Sequence, residues 1–311
     1  MKIAFLLYPT AQVKVREDSS FWVMHEMVRR GHEVYHFESC DLFVENGSPK
    51  AYVYTTAMNR KKGFLPTSLS KKPFFLRGFD ALFIRKEPPF DNGYLYAMQI
   101  LELLRDQVFM MNEPRGIVLF NEKLSILNFP ELIPETLVTE DAATAKVFIQ
   151  KLKKRVVIKP LDQKAGSGIL ATHAADKNLP SILDIATGFS KNKIMVQRFI
   201  ETSGSLDKRI LILNGEVLGV FARKPSPGDF RSNLSVGGSM HRTTLGAEDR
   251  RIVQRISPTL VKNGLYFVGI DVMGRFLTEI NVTSPSGIPE INALYRKKIQ
   301  EKVAEFIEEK V

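Results

Sequence analysis

Short apolar runs alternate with stretches of helical periodicity over the first 120 residues, and this alternation most restricts what the chain can fold into. KIAFLLY (residues 2–8) reads as a buried strand. Ser19 or Ser20 can cap a helix running to Arg30, with Gly31 closing it. HEVYHFE (32–38), DALFIRK (80–86) and VFMMN (108–112) are further strands, and residues 94–106 read as an amphipathic helix. Strands separated by helices pair in parallel, because the crossover is too long for a hairpin and must pack on a sheet face. The expected class is α/β. Residues 41–78 are poorly periodic and stand outside the pattern, and the region carries no GxGxxG dinucleotide fingerprint.

Beyond residue 120 the spacing changes. Residues 121–193 hold the strand ETLVT, a helix over about 141–153 and the strand RVVIKP, and read as a second unit. A third unit, 194–311, opens on KIMVQRF. There Asn214–Gly215 is a hairpin signal between KRILIL and EVLGVFARK. Residues 250–262 are helical. The segment 292–310 has apolar residues Ile299, Val303 and Ile307 at helical spacing, as core packing requires.

Composition narrows the function classes. One cysteine, Cys40, excludes an internal disulfide framework and fits a reducing compartment. The apolar start stops at Pro9, short for a secretory signal, and no run approaches the roughly 20 residues of a membrane span, so a cytoplasmic location is expected. The net charge of +10 admits nucleic acid, but the basic residues are scattered (Arg29–Arg30, Lys61–Lys62, Lys71–Lys72, 151–155, 296–298). No zinc-finger spacing or RNA-binding aromatic motif accompanies them. A field that attracts ATP and acidic peptides accounts for the sign equally well, and neither nucleic acid nor membrane is expected as a partner.

FVGIDVMGRFLTEINVTSPSG (267–287) carries the most pointed chemistry. Glu279 and Asn281 are two apart on a β-like run and leave the same face. A short loop or bulge at Gly274 would bring Asp271 opposite Glu279. Two carboxylates and an amide oxygen suit a hard cation that bridges to nucleotide phosphates. An exposed polar hairpin accounts for the same pattern. Lys159 ends an apolar strand, where its ammonium can meet phosphate, and Lys123 is a second candidate. The loop DQKAGSG (162–168), with Gly166 inside it, can fold over phosphates through backbone N–H groups; an ordinary turn fits it too. Residues 224–241 are Gly/Pro/Ser-rich and long for a connection in a compact domain.

These features recur in a family order. TEINVTSPSGI closely resembles the metal-binding signature of the ATP-grasp ligases, in particular prokaryotic glutathione synthetase. DSSF (18–21), RKEPPFD (85–91), NEKL (121–124), PETLVT (134–139), IKPLD (158–162), DKR (207–209) and GGS (237–239) extend the resemblance over nearly the whole chain. It implies an ATP-grasp fold behind an N-terminal Rossmann-like (pre-ATP-grasp) domain, with residues 1–120 on the substrate side, 121–193 as the lid subdomain and 194–311 carrying the metal site.

The resemblance also implies roles. Asp271, Glu279 and Asn281 would bind Mg²⁺ or Mn²⁺. Lys123, Lys159 and Gly166 would hold ATP phosphates, and the backbone after Gln197 would meet adenine beside Phe199 and Ile200. Asp207 would contact the nucleotide or orient Arg209. Arg209, Arg223 and Arg231 would stabilise an acyl phosphate under a closing loop. Asp18, Ser19, Ser20, Arg85, Ser284 and Ser286 would face substrate. The implied reaction joins γ-glutamylcysteine and glycine with ATP, in a homo-oligomer, generally a tetramer. The chain departs from the family at Gln163, Lys164 and Ala165, where the family has more glycines, and at Pro289, where a basic residue is usual. A ligase with another acyl donor or amine, or a non-catalytic nucleotide- or nucleic-acid-binding protein, are the alternatives.

Overall fold

The computed structural model describes residues 1–9, 17–59, 63–69, 72–163, 166–201 and 207–311. Of the residues singled out above, Lys61, Lys62, Lys71, Lys164 and Ala165 lie outside these.

The strand Lys2–Leu7 is the centre of the first sheet. It pairs in parallel with Glu33–Glu38 on one side and Ala81–Arg85 on the other, and Phe109–Met111 extends the parallel run. Successive side chains of a strand leave opposite faces. Accordingly Ala4 and Leu6 pack with Tyr94, Ala97 and Met98 of the helix Asn92–Glu102, whereas Ile3, Phe5 and Leu7 pack with Val23, Met24 and Met27 of the helix Ser19–Arg29. A strand buried on both faces has to be apolar throughout, which is why this one reads as a continuous run.

Two local expectations shift. Asp18, rather than Ser19 or Ser20, caps the first helix, its Oδ1 accepting from the Ser20 N–H at 2.6 Å. Asp91 caps the next helix, which starts at Asn92 and ends at Glu102. The poorly periodic stretch resolves into a small antiparallel sheet of Leu42–Glu45, Ser48–Ala51 and Phe74–Phe75, and a hairpin, Tyr54–Asn59 with Gly63–Leu69, that extends the edge of the main sheet.

The second sheet is antiparallel, in the order Thr136–Thr139, Ile194–Arg198, Val156–Pro160, Leu170–Thr172. The helices Ala142–Leu152 and Leu179–Ala186 cover it through Ala145, Ile149, Leu179 and Leu183. Ile194–Arg198 was expected to open the third unit, but it is an inner strand here, satisfied by neighbours on both sides. Residues 124–132 also depart from the expected grouping. Ile126, Phe129 and Leu132 pack with Ile210, Ile270 and Ile280, in the core that the first and third sheets share.

The third sheet runs Ser239–His241, Glu216–Lys224, Asp207–Leu213, Phe267–Met273, Phe276–Asn281, all antiparallel. Asn214 and Gly215 both have positive φ (48° and 83°), the conformation a two-residue hairpin turn demands. The helix Ala247–Lys262 backs this sheet through Ile252, Ile256 and Leu260.

The C-terminal segment is not one helix. Ile288–Tyr295 and Gln300–Lys310 are separated by Arg296, whose φ is 53°. Asn292 stabilises the break, accepting from the Ile299 N–H at 2.9 Å and donating to Gln300 Oε1 at 2.7 Å. Ile299, Val303 and Ile307 are core residues nonetheless.

Candidate active site

The hairpin Phe267–Met273/Phe276–Asn281 brings three polar side chains to one face. Asp271 lies directly opposite Glu279, and Gly269 opposite Asn281. The turn holds Gly274 at φ 59°. Between Asp271 and the turn the register shifts, so that Val272 faces Leu277 and Thr278 is the extra residue. That bulge lets a tight turn and the Asp271–Glu279 pairing coexist. The Thr278 hydroxyl secures it by donating to Asp271 O at 3.1 Å.

The next strand supplies cations. Arg209 faces Asp271, with Nε 2.6 Å from Oδ1 and Nη2 3.1 Å from Oδ2. Gly269 makes room for it: a Cβ there would lie 3.3 Å from Arg209 Nη1. Arg223, on the following strand, lies opposite Asp207 and bonds it at 2.6 Å, and it also sits 3.0 Å from Asp271. The four side chains form a buried ladder of alternating charge. Burial alone would raise the Asp271 carboxyl, but Arg209 and Arg223 outweigh it and hold the group below the usual carboxylate range. Burial raises Asp207, with Arg223 opposing.

Two lysines reach the hairpin from elsewhere. Lys123 Nζ is 3.5 Å from Glu279 Oε1 and donates to Gln163 O at 2.5 Å. Lys159, on the second sheet, donates to Gln197 Oε1 at 2.9 Å and Thr278 O at 3.4 Å. Burial lowers Lys159, against the pull of Glu279. Burial raises Glu279, against Lys123.

A cavity of about 120 Å³ lies between the second and third sheets. Lys123, Lys159, Gly166 and Glu279 form its polar end; Val157, Ile169, Ile200 and Met273 give it apolar walls. Gln197 uses its side chain on Lys159 and Thr136, and the Phe199 N–H is committed to Arg155 O at 2.9 Å, so Phe199 contributes its ring. A larger cleft of about 950 Å³ opens toward the N-terminal domain and is lined by Asp18, Arg209, Asn281, Ser284 and Ser286. Arg223, Asn233 and Glu279 line both spaces.

Three of the expected substrate-facing residues are buried. Ser19, Ser20 and Arg85 are each at most 1% exposed and stand behind the cleft wall. Ser19 Oγ accepts from the N–H groups of Gly287 and Ile288, and Ser20 Oγ from Arg85 Nε. Arg85 Nη2 donates to Pro285 O at 2.9 Å. These contacts tie them to residues 285–288.

Arg231 sits on the excursion between Glu216–Lys224 and Ser239–His241, whose ends pair at Lys224–Ser239. Its Nη1 donates to Gly166 O at 3.2 Å and its Nη2 pairs with Asp229 at 2.7 Å. The excursion therefore touches the glycine loop across the small cavity. The tight return needs Gly238, where a Cβ would lie 2.3 Å from Ser232 O.

Two further participants are not singled out by the sequence reading, although Glu122 lies inside NEKL. Glu122 accepts from Thr283 Oγ1 at 2.6 Å and lines the large cleft. Asn112 is buried and joins the first sheet to the segment carrying the Phe267–Asn281 hairpin through Phe267 and Val282. It is one polar residue in an unremarkable context.

The oxygen set suits a hard cation. Asp271 and Glu279 supply carboxylates and Asn281 an amide oxygen. Among the described residues no group of three or more His, Cys, Asp or Glu side chains could hold a metal. No helix among them is long and apolar enough to cross a membrane.

Comparisons with known proteins bear on the family and the fold. The family model for the prokaryotic glutathione synthetase N-terminal domain matches residues 1–117, and that for its ATP-grasp domain matches residues 122–296. The glutathione synthetase of Gloeobacter violaceus is 39% identical over 99% of this chain and 97% of its own length. That of Vibrio cholerae is 38% identical over 100% and 98%. Among solved structures, D-cycloserine synthetase DcsG superposes with a TM-score of 0.68 at 10% identity, covering 99% of this chain and 100% of its own. The ATP-grasp ligase PsnB, complexed with a precursor variant, Mg and ADP, gives 0.62 at 15% identity, covering 99% and 98%. At such identities these two structures establish the shared fold alone.

Proposed function

The chain belongs to the prokaryotic glutathione synthetase family of ATP-grasp carbon–nitrogen ligases, and from that premise we propose how its own residues join γ-glutamylcysteine to glycine with cleavage of ATP. The observation that carries the proposal is the junction of the two cavities at Glu279 and Arg223. Nucleotide in the small cavity and dipeptide in the large cleft approach each other along this shared wall, which Asn233 of the 224–241 loop completes, and phosphoryl transfer takes place there.

Adenine occupies the apolar end, between Val157, Ile169, Ile200 and Met273. Lys123 and Lys159 bind the phosphates, helped by backbone N–H groups near Gly166. Asp271, Glu279 and Asn281 would hold Mg²⁺ or Mn²⁺, which when bound supplies positive charge to the phosphate oxygens. The cysteinyl carboxylate attacks the γ-phosphorus, the bond to the ADP oxygen breaks, and an acyl phosphate forms. Arg209 and Arg223, held by Asp207 and Asp271, stabilise that anion and the oxyanion of the next step. The glycine amine attacks the carbonyl carbon, loses a proton, and inorganic phosphate departs. Arg231 and its loop keep water from the acyl phosphate. Asp18, Ser284 and Ser286 face the dipeptide, with Ser19, Ser20 and Arg85 bracing that wall.

The proposal divides the chain into an N-terminal domain to about residue 120, a lid subdomain closing near residue 200, and a C-terminal subdomain. Pairing of Ile194–Arg198 within the second sheet supports the later boundary. A cytoplasmic homotetramer is part of the proposal on family grounds, and light scattering tests the assembly.

The deciding experiment measures ADP release over a matrix of γ-glutamyl dipeptides and small amino acids. Release should be greatest with γ-glutamylcysteine and glycine, and should require both. A maximum at another pair would identify a different ligase. Amine-independent behaviour with tight oligonucleotide binding at physiological salt would replace the ligase reading with nucleic-acid binding.

A further inference from the structure

We propose that Phe230, Phe199 and Arg155 form an aromatic clasp that couples closure of the 224–241 loop to occupation of the adenine end of the nucleotide cavity. The inference rests on the nucleotide site proposed above. It adds what closes the loop and which part of the nucleotide the loop senses.

The three residues come from three elements. Arg155 immediately precedes the strand Val156–Pro160, Phe199 follows Ile194–Arg198, and Phe230 stands on the loop beside Arg231. The Arg155 guanidinium lies 4.2 Å from the centre of the Phe199 ring and 5.8 Å from that of Phe230. The two rings meet edge to face, 6.1 Å apart at 62°. Arg155 and Phe199 are also tied by a backbone bond of 2.9 Å, so ring and cation are aligned by elements outside the loop. Among the described residues no carboxylate pairs with Arg155 within 4 Å, and this exposed guanidinium lies against the rings.

The loop thus has two separate anchors. Arg231 reaches Gly166 O at the polar end of the cavity, and Phe230 reaches Phe199 at the apolar end. Phe199 and Phe230 both line that cavity. A planar base there touches the fixed ring and the loop's ring together, and so joins one to the other. Phosphate alone touches neither ring. Phe230 and Arg155 are positioning residues in this account, since they bear on the reaction through the loop.

The test is tryptic cleavage after Lys224 and Arg231, scored as the ratio of rates without and with ligand. The probes are ADP and inorganic tripolyphosphate, which has phosphates and no base. An edge-to-face pair with its cation predicts that ADP slows cleavage of the wild-type protein about fivefold or more, and that tripolyphosphate does not. Phe230→Ala should lose the protection at ADP concentrations that equilibrium dialysis shows to be saturating. Phe230→Tyr, which keeps the ring, should restore it. Full protection of Phe230→Ala at saturation, or equal protection of wild type by tripolyphosphate, overturns the clasp. Wild type that binds ADP without being protected sinks the clasp and leaves the nucleotide site standing. Wild type that fails to bind ADP sinks both.

Discussion

Arg209 grips both oxygens of Asp271, Nε to Oδ1 at 2.6 Å and Nη2 to Oδ2 at 3.1 Å, from the position directly opposite on the neighbouring strand. The same carboxylate lies 3.0 Å from Arg223, so one anion orients two cations. Asp271→Asn would leave both guanidiniums short of charge in a buried place. The expected cost is about 3–5 kcal/mol of stability, with ligase activity lost as well. Urea denaturation measures the first and ADP release the second; a stability loss under about 1 kcal/mol would contradict the ladder.

Glu279 stands where the two cavities meet, and its carboxylate oxygens are the chemistry at stake. Glu279→Gln keeps the shape and removes the charge. Turnover dependent on Mg²⁺ should fall on the order of a thousandfold, several kcal/mol of transition-state stabilisation, while circular dichroism stays that of the wild type. Activity near the wild-type level would remove Glu279 from the metal assignment.

Arg231→Ala removes the contact with Gly166 O. Because the proposed work of the loop is to shield the acyl phosphate, kcat should drop by about tenfold or more, a larger loss than that in ATP affinity. ATP consumed per peptide bond should rise as water reaches the acyl phosphate. A variant that weakens ATP binding and leaves kcat alone would show that Arg231 serves the nucleotide instead.

Asn112 donates to Phe267 O at 2.8 Å and Val282 O at 2.9 Å, and accepts from the Phe267 N–H at 2.7 Å. Asn112→Ala strands these backbone groups in a place where Asn112 itself is 2% exposed. A loss of roughly 3–5 kcal/mol is expected. Thermal and urea unfolding test this, and a variant as stable as wild type would mean water replaces the amide.

His36 gives stability a pH dependence of its own. Burial lowers its pKa to about 4, with Glu38 opposing, and its ring stacks on Tyr54 and bonds Thr56 Oγ1 at 3.1 Å. The unfolded chain takes up this proton near pH 6.5 and the folded chain only near 4. The contribution is therefore whole above about pH 6.5 and is lost as pH falls toward 4, about 3 kcal/mol in all. His36→Gln should flatten that part of the stability profile. An unchanged slope between pH 4 and 6.5 would assign it to other groups.

Much of the local architecture is legible in the amino acids. The strands of the first sheet, the Asn214–Gly215 turn and the shared face of Asp271, Glu279 and Asn281 all follow from side-chain periodicity, which reports direction along a few residues. Family motifs added the order of the site. Periodicity says nothing about which strand a strand will pair with, so Ile194–Arg198 reads as the opening of a third unit and is an inner strand of the second sheet. Nor does it show that Arg296 interrupts the C-terminal helical pattern, because an αL residue held by Asn292 is a tertiary solution.

The division is sharpest at the substrate wall. The composition of DSSF and of RKEPPFD marks Ser19, Ser20 and Arg85 as polar, which suits a ligand or a buried network alike. Only the packing of segments 268 residues apart for Ser19 and Gly287, and 200 apart for Arg85 and Pro285, turns those groups inward. Likewise Lys123 and Lys159 reach the Glu279 hairpin from different parts of the chain. Local sequence determined which chemistry each segment carries. Long-range closure decided which of it faces a ligand, since a buried polar group must first be hydrogen-bonded by whatever the fold brings beside it.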